Sequence, residues 1–471
     1  MPTTIRSKLP LGRSAFGNIA KSWLAWLVLL TGAAFIAVQG SPAQQTAPTE
    51  GASSAILFQN VRVFDGKHGT LSSPSNVLIR GNLIESISAS AVPADANTRV
   101  IDGGGRVLMP GLIDNHWHAT LVRPTPAQLL MSDLGFSTLL AGAEASDTLM
   151  RGFTTVRDMG GPVFSLKRAI DQGLLPGPRI YPSGAVITVT SGHGDFRQQI
   201  DLPRTPGHLT HGEELGGFAI ADSPDEVRMR VREQLMQGAS QIKLTAGGGV
   251  ASPFSPLDAV TFNEDELRAA VEAAENWGTY VCTHSYTPES IQRSIKAGVK
   301  CIEHGHLMDE ATAKLIAENG IWLSTQPFVD MGAGAGLGPA ELAKLKQVVD
   351  GTDTTYRLAR KYKIKTAFGT DILFSAALAT RQGHYLVDML RWYTPPELLV
   401  MATSTNGELL RMSGKRNPYP GTIGVVEQGA YADLLLVDGN PLEDINLVAD
   451  PAKNFLIIMK DGKIYKDTLN R

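Results

Sequence analysis

Between residues 107 and 414 the chain repeats one unit: a short apolar run, then an amphipathic stretch of helical period. Short apolar runs alternating with amphipathic helices describe a parallel sheet whose strands are buried on both faces and covered by helices. The candidate strands are Val107–Ile113, Thr154–Arg157, Arg179–Ser183, Gln241–Leu244, Tyr280–Thr283, Cys301–Glu303, Ile321–Ser324 and Thr366–Phe368. Helices are expected between them, among others over Asn263–Asn276, with Asn263 as the N-cap, and over Ala311–Glu318. Eight strand–helix units over about 300 residues predict a (β/α)8 barrel, an α/β fold. The irregular stretch from Gly184 to Phe218 is too long for a passive connection and reads as an active-site loop.

The two ends have a different texture. Ile56–Gly66 reads as a strand closing in a turn, and Asn76–Ile87 as a hairpin with Gly81-Asn82 at its tip. Strands broken by Asp-Gly turns return only at Ala432–Gly439 and Phe455–Tyr465. One small β-sandwich domain built from both ends is therefore expected, at 55–106 and 415–471, with the barrel at 107–414 between its halves.

Ahead of these, Arg6, Lys8, Arg13 and Lys21 precede an apolar run from Trp23 to Val38, followed by small and polar residues. That order is the pattern of a secretory signal. It places a signal peptide at 1–43, with Ser41-Pro42-Ala43 as the cleavage site, and a polar linker at 44–54. The expected location is secreted or periplasmic. The run is short against the roughly 20 apolar residues of a spanning helix, so an uncleaved anchor is the less favoured alternative and no stable membrane insertion is expected after cleavage. No cysteine lies just after the apolar run, so a lipoprotein anchor is not expected.

Charged residues make up 19% of the chain and its formal net charge is -3, so nothing suggests a nucleic-acid partner. The two cysteines, Cys282 and Cys301, sit in apolar runs and read as buried free thiols.

The chemistry lies in the histidines and acids. His116 and His118 follow the first strand; in extended chain their side chains point the same way, so both imidazoles can reach one metal. Lys243 lies within the fourth strand, while His284, His304 and Asp371 fall at the ends of the fifth, sixth and eighth. Catalytic groups of a barrel come from the C-terminal ends of several strands, and these six share that location.

The run Pro110–His118 resembles the first-strand motif of the amidohydrolase superfamily. The resemblance extends through Ile242-Lys243-Leu244, Thr283-His284, Ile302–Gly305, Gly369–Asp371 and the return Gly429–Leu434. It implies two divalent metal ions, of which zinc suits nitrogen and oxygen donors, and an N6-carboxylated Lys243 bridging them. His116, His118 and Asp371 would hold one ion, His284 and His304 the other. The resemblance further implies attack by a metal-bridging hydroxide, with Asp371 moving the proton to the leaving nitrogen. His193, in the loop after the third strand, is placed to hydrogen-bond the substrate carbonyl. His306 reads as a residue behind the ligands; His208, His211, His384 and His68 read as unrelated to chemistry. The glycine run Gly247–Gly249 lacks the lysine ending of a phosphate loop and suggests close backbone approach to a substrate.

The stretch Lys243–Ser252, with Ile302–His306, resembles the prolidase and carboxypeptidase-like branch. That branch includes the ochratoxin-hydrolysing amidohydrolases, which cut an amide between an aromatic acyl group and phenylalanine. The expected substrate is a small amide: an acyl or aminoacyl group joined to a C-terminal amino acid, as in an N-acyl amino acid, ochratoxin A or a dipeptide. Arg197, Arg204 and Tyr286 are candidates for its carboxylate. Alternatives are a cyclic-amide hydrolase resembling imidazolonepropionase, a lactonase, and a catalytically silent barrel serving assembly. The resemblance also implies a homo-oligomer.

Overall fold

The computed structural model describes residues 55–469, apart from 206 and 335. The expected signal peptide and linker lie outside the described residues. No helix among those described is long and apolar enough to cross a membrane.

The barrel strands run in chain order as β1 (Leu112–Trp117), β2 (Phe153–Asp158), β3 (Arg179–Pro182), β4 (Ile242–Thr245), β5 (Val281–Ser285), β6 (Cys301–His304), β7 (Trp322–Thr325) and β8 (Thr366–Phe368). All sequential pairs within β1–β3 and within β4–β8 are parallel. Every residue of these strands is buried, as expected of a sheet covered by helices on one side and filled with side chains on the other. Helix Glu264–Trp277 begins at Asn263 in a capping box with Glu266 and turns Leu267, Ala270 and Ala274 inward. Those side chains pack with Ile242, Leu244 and Val281 of the sheet.

The hydrogen-bond ladder is interrupted at two seams, and a buried side-chain amide spans each. Between β3 and β4, Gln241 donates to the carbonyls of Asp158 (3.2 Å) and Tyr181 (2.9 Å). Between β8 and β1, Asn406 donates to the carbonyls of Ile113 (2.7 Å) and Phe368 (2.9 Å) and accepts from the Phe368 N–H (3.0 Å). Both amides are fully buried.

A mixed eight-stranded sheet gathers both chain ends. Ala55–Phe64 is central, pairing with Leu71–Arg80 and Thr98–Asp102 and briefly with Val107–Pro110. Val107–Pro110 then pairs antiparallel with Leu434–Val437, which continues the sheet to Phe455–Lys460 and Lys463–Asp467. The apolar run Val107–Ile113, expected as a single barrel strand, is thus shared between two sheets. Pro110 supplies no N–H to prolong a ladder, and at Gly111 a Cβ would stand 2.1 Å from Thr154 Oγ1. The two strands part at Gly111, where only a glycine fits against Thr154. Hydrophobicity is unbroken across that point, so the pattern alone does not reveal it. Cys282 and Cys301 are free, buried and in register on β5 and β6.

Candidate active site

Register delivers the site. Thr245 lies opposite His284, and Ser285 opposite His304, so the ends of β4, β5 and β6 stand level. Asp371 follows β8 with positive φ (51°), and its N–H donates to the His116 carbonyl (2.8 Å), fixing the turn against β1. His304 also has positive φ (75°), an uncommon backbone for a non-glycine residue, at the strand end where its ring enters the cluster.

The structure brings His116, His118, His193, Lys243, His284, His304 and Asp371 around one cavity. The His304 ring lies 4.8 Å from that of His116 and 4.3 Å from that of His284. Donor atoms of His116, His304 and Asp371 lie within 4.8 Å of one another. His118 Nε2 is 3.3 Å and His116 Nε2 3.6 Å from Asp371 Oδ1, a buried oxygen with no hydrogen-bond partner among the described residues.

In each ring of the set, one nitrogen is engaged by a protein acceptor. His116 Nδ1 meets Glu303 Oε2 (2.8 Å), His118 Nδ1 the Gly160 carbonyl (3.0 Å) and His304 Nδ1 Gln326 Oε1 (2.7 Å). His284 is held instead through Nε2, by the Gly248 carbonyl (3.0 Å). In His116, His284 and His304 the remaining nitrogen is left as a lone pair, the form in which histidine binds a metal; burial would also lower His118, but the adjacent Asp371 carboxylate outweighs it and raises that ring. Burial, followed by the charge of Lys243, pushes His116 down to about 4. Burial also holds His284 and His304 well below the ordinary histidine value. Lys243 is 3% exposed and forms no ion pair among the described residues, and burial lowers its amine. Buried neutral imidazoles, a carboxylate oxygen with nothing bonded to it and an unpaired lysine form a donor set that fits divalent cations.

Three further charged residues, Arg157, Glu303 and Asp158, support this set. Arg157 is completely buried and donates to Glu303 Oε1 (2.7 Å), to the Asn115 carbonyl (2.7 Å) and to the Tyr280 hydroxyl (3.1 Å). Burial alone would raise the Glu303 carboxyl, but Arg157 and His116 outweigh it and keep it ionised. Asp158 accepts from the N–H of Ala119 (2.7 Å) and Gly160 (3.3 Å), so the Gly160 carbonyl faces His118. The signal available in sequence was a charge inside an apolar strand, as in Cys301-Ile302-Glu303-His304; its partner Arg157 lies too far along the chain for spacing to reveal.

His306 is buried against Phe328 and bonds the Gln326 carbonyl (2.9 Å), behind the histidine cluster. His211 contacts the Ser132 carbonyl from an exposed position, and His68 pairs with Asp65 in the exposed loop between the strands Ala55–Phe64 and Leu71–Arg80. Gly248 and Gly249 make room for protein rather than for a ligand. A Cβ on Gly249 would stand 2.0 Å from His193 Nδ1, and one on Gly248 would stand 1.6 Å from the Pro256 carbonyl oxygen. Arg197 is tied to Asp195 (2.7 Å) and Arg204 to Glu213 (3.3 Å).

Beyond the polar floor the cavity is apolar, walled by Leu129, Leu134, Leu215, Phe196, Phe218 and Phe374. No arginine lines it among the described residues, and Lys243 is its only lysine.

The amidohydrolase family model matches residues 107–465. The ochratoxinase of Aspergillus niger is 31% identical over 383 residues, 76% of each chain. A prolidase structure in complex with N-methylphosphonate-L-proline is 34% identical, with a TM-score of 0.80, covering 88% of this chain and 100% of that one. The structure of a Xaa-Pro dipeptidase with bound methionine is 31% identical, with a TM-score of 0.75 over the same shares.

Proposed function

The chain belongs to the amidohydrolase family, and from that premise we propose that it hydrolyses the amide joining a large apolar acyl group to an amino acid. An ochratoxin-type N-acyl phenylalanine is the leading substrate. The observation carrying this reading is the cavity, whose walls beyond the donor set are leucine and phenylalanine without an arginine. A wall of that kind favours an aromatic or aliphatic acyl group and offers little to a charged one. Of the three residues nominated for the substrate carboxylate, Arg197 and Arg204 are engaged elsewhere. Tyr286 is buried beside the donor set, its ring 4.7 Å from that of His284 and 5.2 Å from that of His304, and does not line the cavity, so none of the three faces the acyl pocket.

His116, His118 and Asp371 would hold one divalent ion, zinc by donor type, and His284 with His304 the other. Lys243 would join the two sets as its carbamate, for which an unpaired buried amine between them is suited. When bound, such ions polarise a carbonyl and make water nucleophilic at neutral pH. The chain's own residues orient and protonate. Asp371 Oδ1, free of protein hydrogen bonds, accepts the proton of the attacking water and returns it to the leaving nitrogen. His193 donates toward the carbonyl oxygen as it gains charge.

The deciding experiment measures amino-acid release from N-acyl amino acids and dipeptides, ochratoxin A among them, with zinc and bicarbonate present. Phenylalanine release from aromatic acyl amides is expected, lost in Lys243→Ala and reduced at least about 100-fold in Asp371→Asn with metal retained. Release from Xaa-Pro dipeptides alone would move the substrate to the class that the prolidase relatives' names indicate. Silence toward every linear amide would leave the cyclic-amide and lactone alternatives.

A further inference from the structure

We infer that Ser252 is a positioning residue that sets His193 as a hydrogen-bond donor toward the substrate, resting on the reading of the site as an amide hydrolase. Ser252 is completely buried in the loop after β4, far along the chain from His193 in the loop after β3. Its Oγ lies 2.9 Å from His193 Nδ1 and 2.9 Å from the Gly194 backbone nitrogen.

The proton count decides what passes between them. The Gly194 N–H can only donate, so Ser252 Oγ accepts that bond. The serine hydroxyl proton finds no acceptor among the described residues other than His193 Nδ1. Donation there makes Nδ1 the acceptor nitrogen and places the imidazole proton on Nε2. With the opposite tautomer, the ring would present a lone pair to the carbonyl oxygen, which repels developing negative charge. The hydroxyl thus selects the tautomer able to stabilise an oxyanion.

The same loop fixes where the ring stands. Gly249 leaves the space the ring occupies, since a Cβ there would lie 2.0 Å from Nδ1. Lys344, on the helix Pro339–Lys361, donates to the carbonyls of Gly249 (2.9 Å), Ser252 (2.7 Å) and Ser255 (3.2 Å), using all three ammonium protons on one turn of loop. One loop therefore meets the imidazole at two points, and a lysine from a separate helix holds that loop in place.

The test joins a structural readout to kinetics on the metal-loaded protein. Long-range proton–nitrogen correlation spectra of isotope-labelled protein, with His193→Asn for assignment, are expected to show the Nε2–H tautomer in the wild type and a mixture in Ser252→Ala. Ser252→Ala should lower kcat about 10- to 100-fold while KM changes less than about threefold, and Ser252→Thr should recover much of the loss. An Nδ1–H tautomer in the wild type overturns the inference, whatever the activity. So does a folded Ser252→Ala protein with unchanged tautomer and kcat. If Ser252→Ala fails to fold, the wild-type tautomer and the Ser252→Thr kinetics decide. Wild-type protein with the Nε2–H form that hydrolyses no amide would overturn the reading of the reaction while upholding the positioning of the ring.

Discussion

Glu303 carries more of the site than its silence in the sequence suggests. Its two oxygens divide between Arg157 (2.7 Å) and His116 (2.8 Å), and all three side chains are essentially sealed from water. An ion pair this deep need not stabilise the fold over an apolar replacement, but removing one partner strands the other. Glu303→Gln is therefore expected to destabilise the protein by about 3 kcal/mol, because Arg157 stays charged and buried. The same change removes the anionic acceptor of the His116 Nδ1–H, so metal affinity should fall about 10- to 100-fold. Calorimetric unfolding and metal titration of the variant separate the two effects; unchanged affinity in a destabilised protein would confine Glu303 to a structural role.

At the scale of elements, the barrel is two runs of parallel strands closed by two amides. Asn406→Ala would leave the Ile113 and Phe368 carbonyls and the Phe368 N–H without their buried partner. At about 1–3 kcal/mol for each stranded group, partly relieved by water, a loss on the order of 3 kcal/mol is expected. Native-state hydrogen exchange should show it first in β1 and β8, because the seam opens there; uniform loss across the barrel would argue against a localised staple. Elements of this kind were partly legible in the sequence. The ends of β4, β5 and β6 could be read because each apolar run stops at a polar residue or a histidine, and Asn263 announced its helix through the capping box with Glu266. The parting of the strands at Gly111 could not be read, since both sheets demand the same apolar residues. The long stretch after β3, expected to be irregular, also holds the strand Val186–Thr188 and the short helix His211–Glu214. The pairings Arg157–Glu303 and His193–Ser252 were hidden for a different reason: they join side chains brought together only by the closed barrel.

For the whole molecule, barrel and terminal sheet share an apolar core, and Arg179 at the start of β3 adds a charged contact between them. It reaches buried Asp433 (3.0 Å) and the more exposed Asp461 (2.7 Å), with its guanidinium over the Tyr431 ring at 4.0 Å. The two carboxylates should not count equally. Asp433→Ala is expected to cost about 3 kcal/mol by leaving a buried cation under-paired, whereas Asp461→Asn should cost less than about 1 kcal/mol because water screens its half-exposed side chain. Burial pushes the Asp461 carboxyl up, but Arg179 and Asn82 outweigh it and hold it below the usual 3.8. Its contribution is then complete above that pH and is lost as pH falls through the depressed value. Thermal melts across the acid range should show that part of the decline flattened in Asp461→Asn; identical acid limbs would rule the contribution out.

The sheet that pairs Val107–Pro110 with Leu434–Val437 also sets an order of events during synthesis. While the ribosome is still making the barrel, Val107–Pro110 has an open side with no neighbour to bond. Its partner is one of the last segments to emerge. Until then the nascent chain carries a bare apolar edge, which is hazardous if folding starts early. A product that terminates before Leu434 keeps that edge permanently, however complete its cluster of histidines, and should be cleared by aggregation or proteolysis rather than persist as a damaged hydrolase.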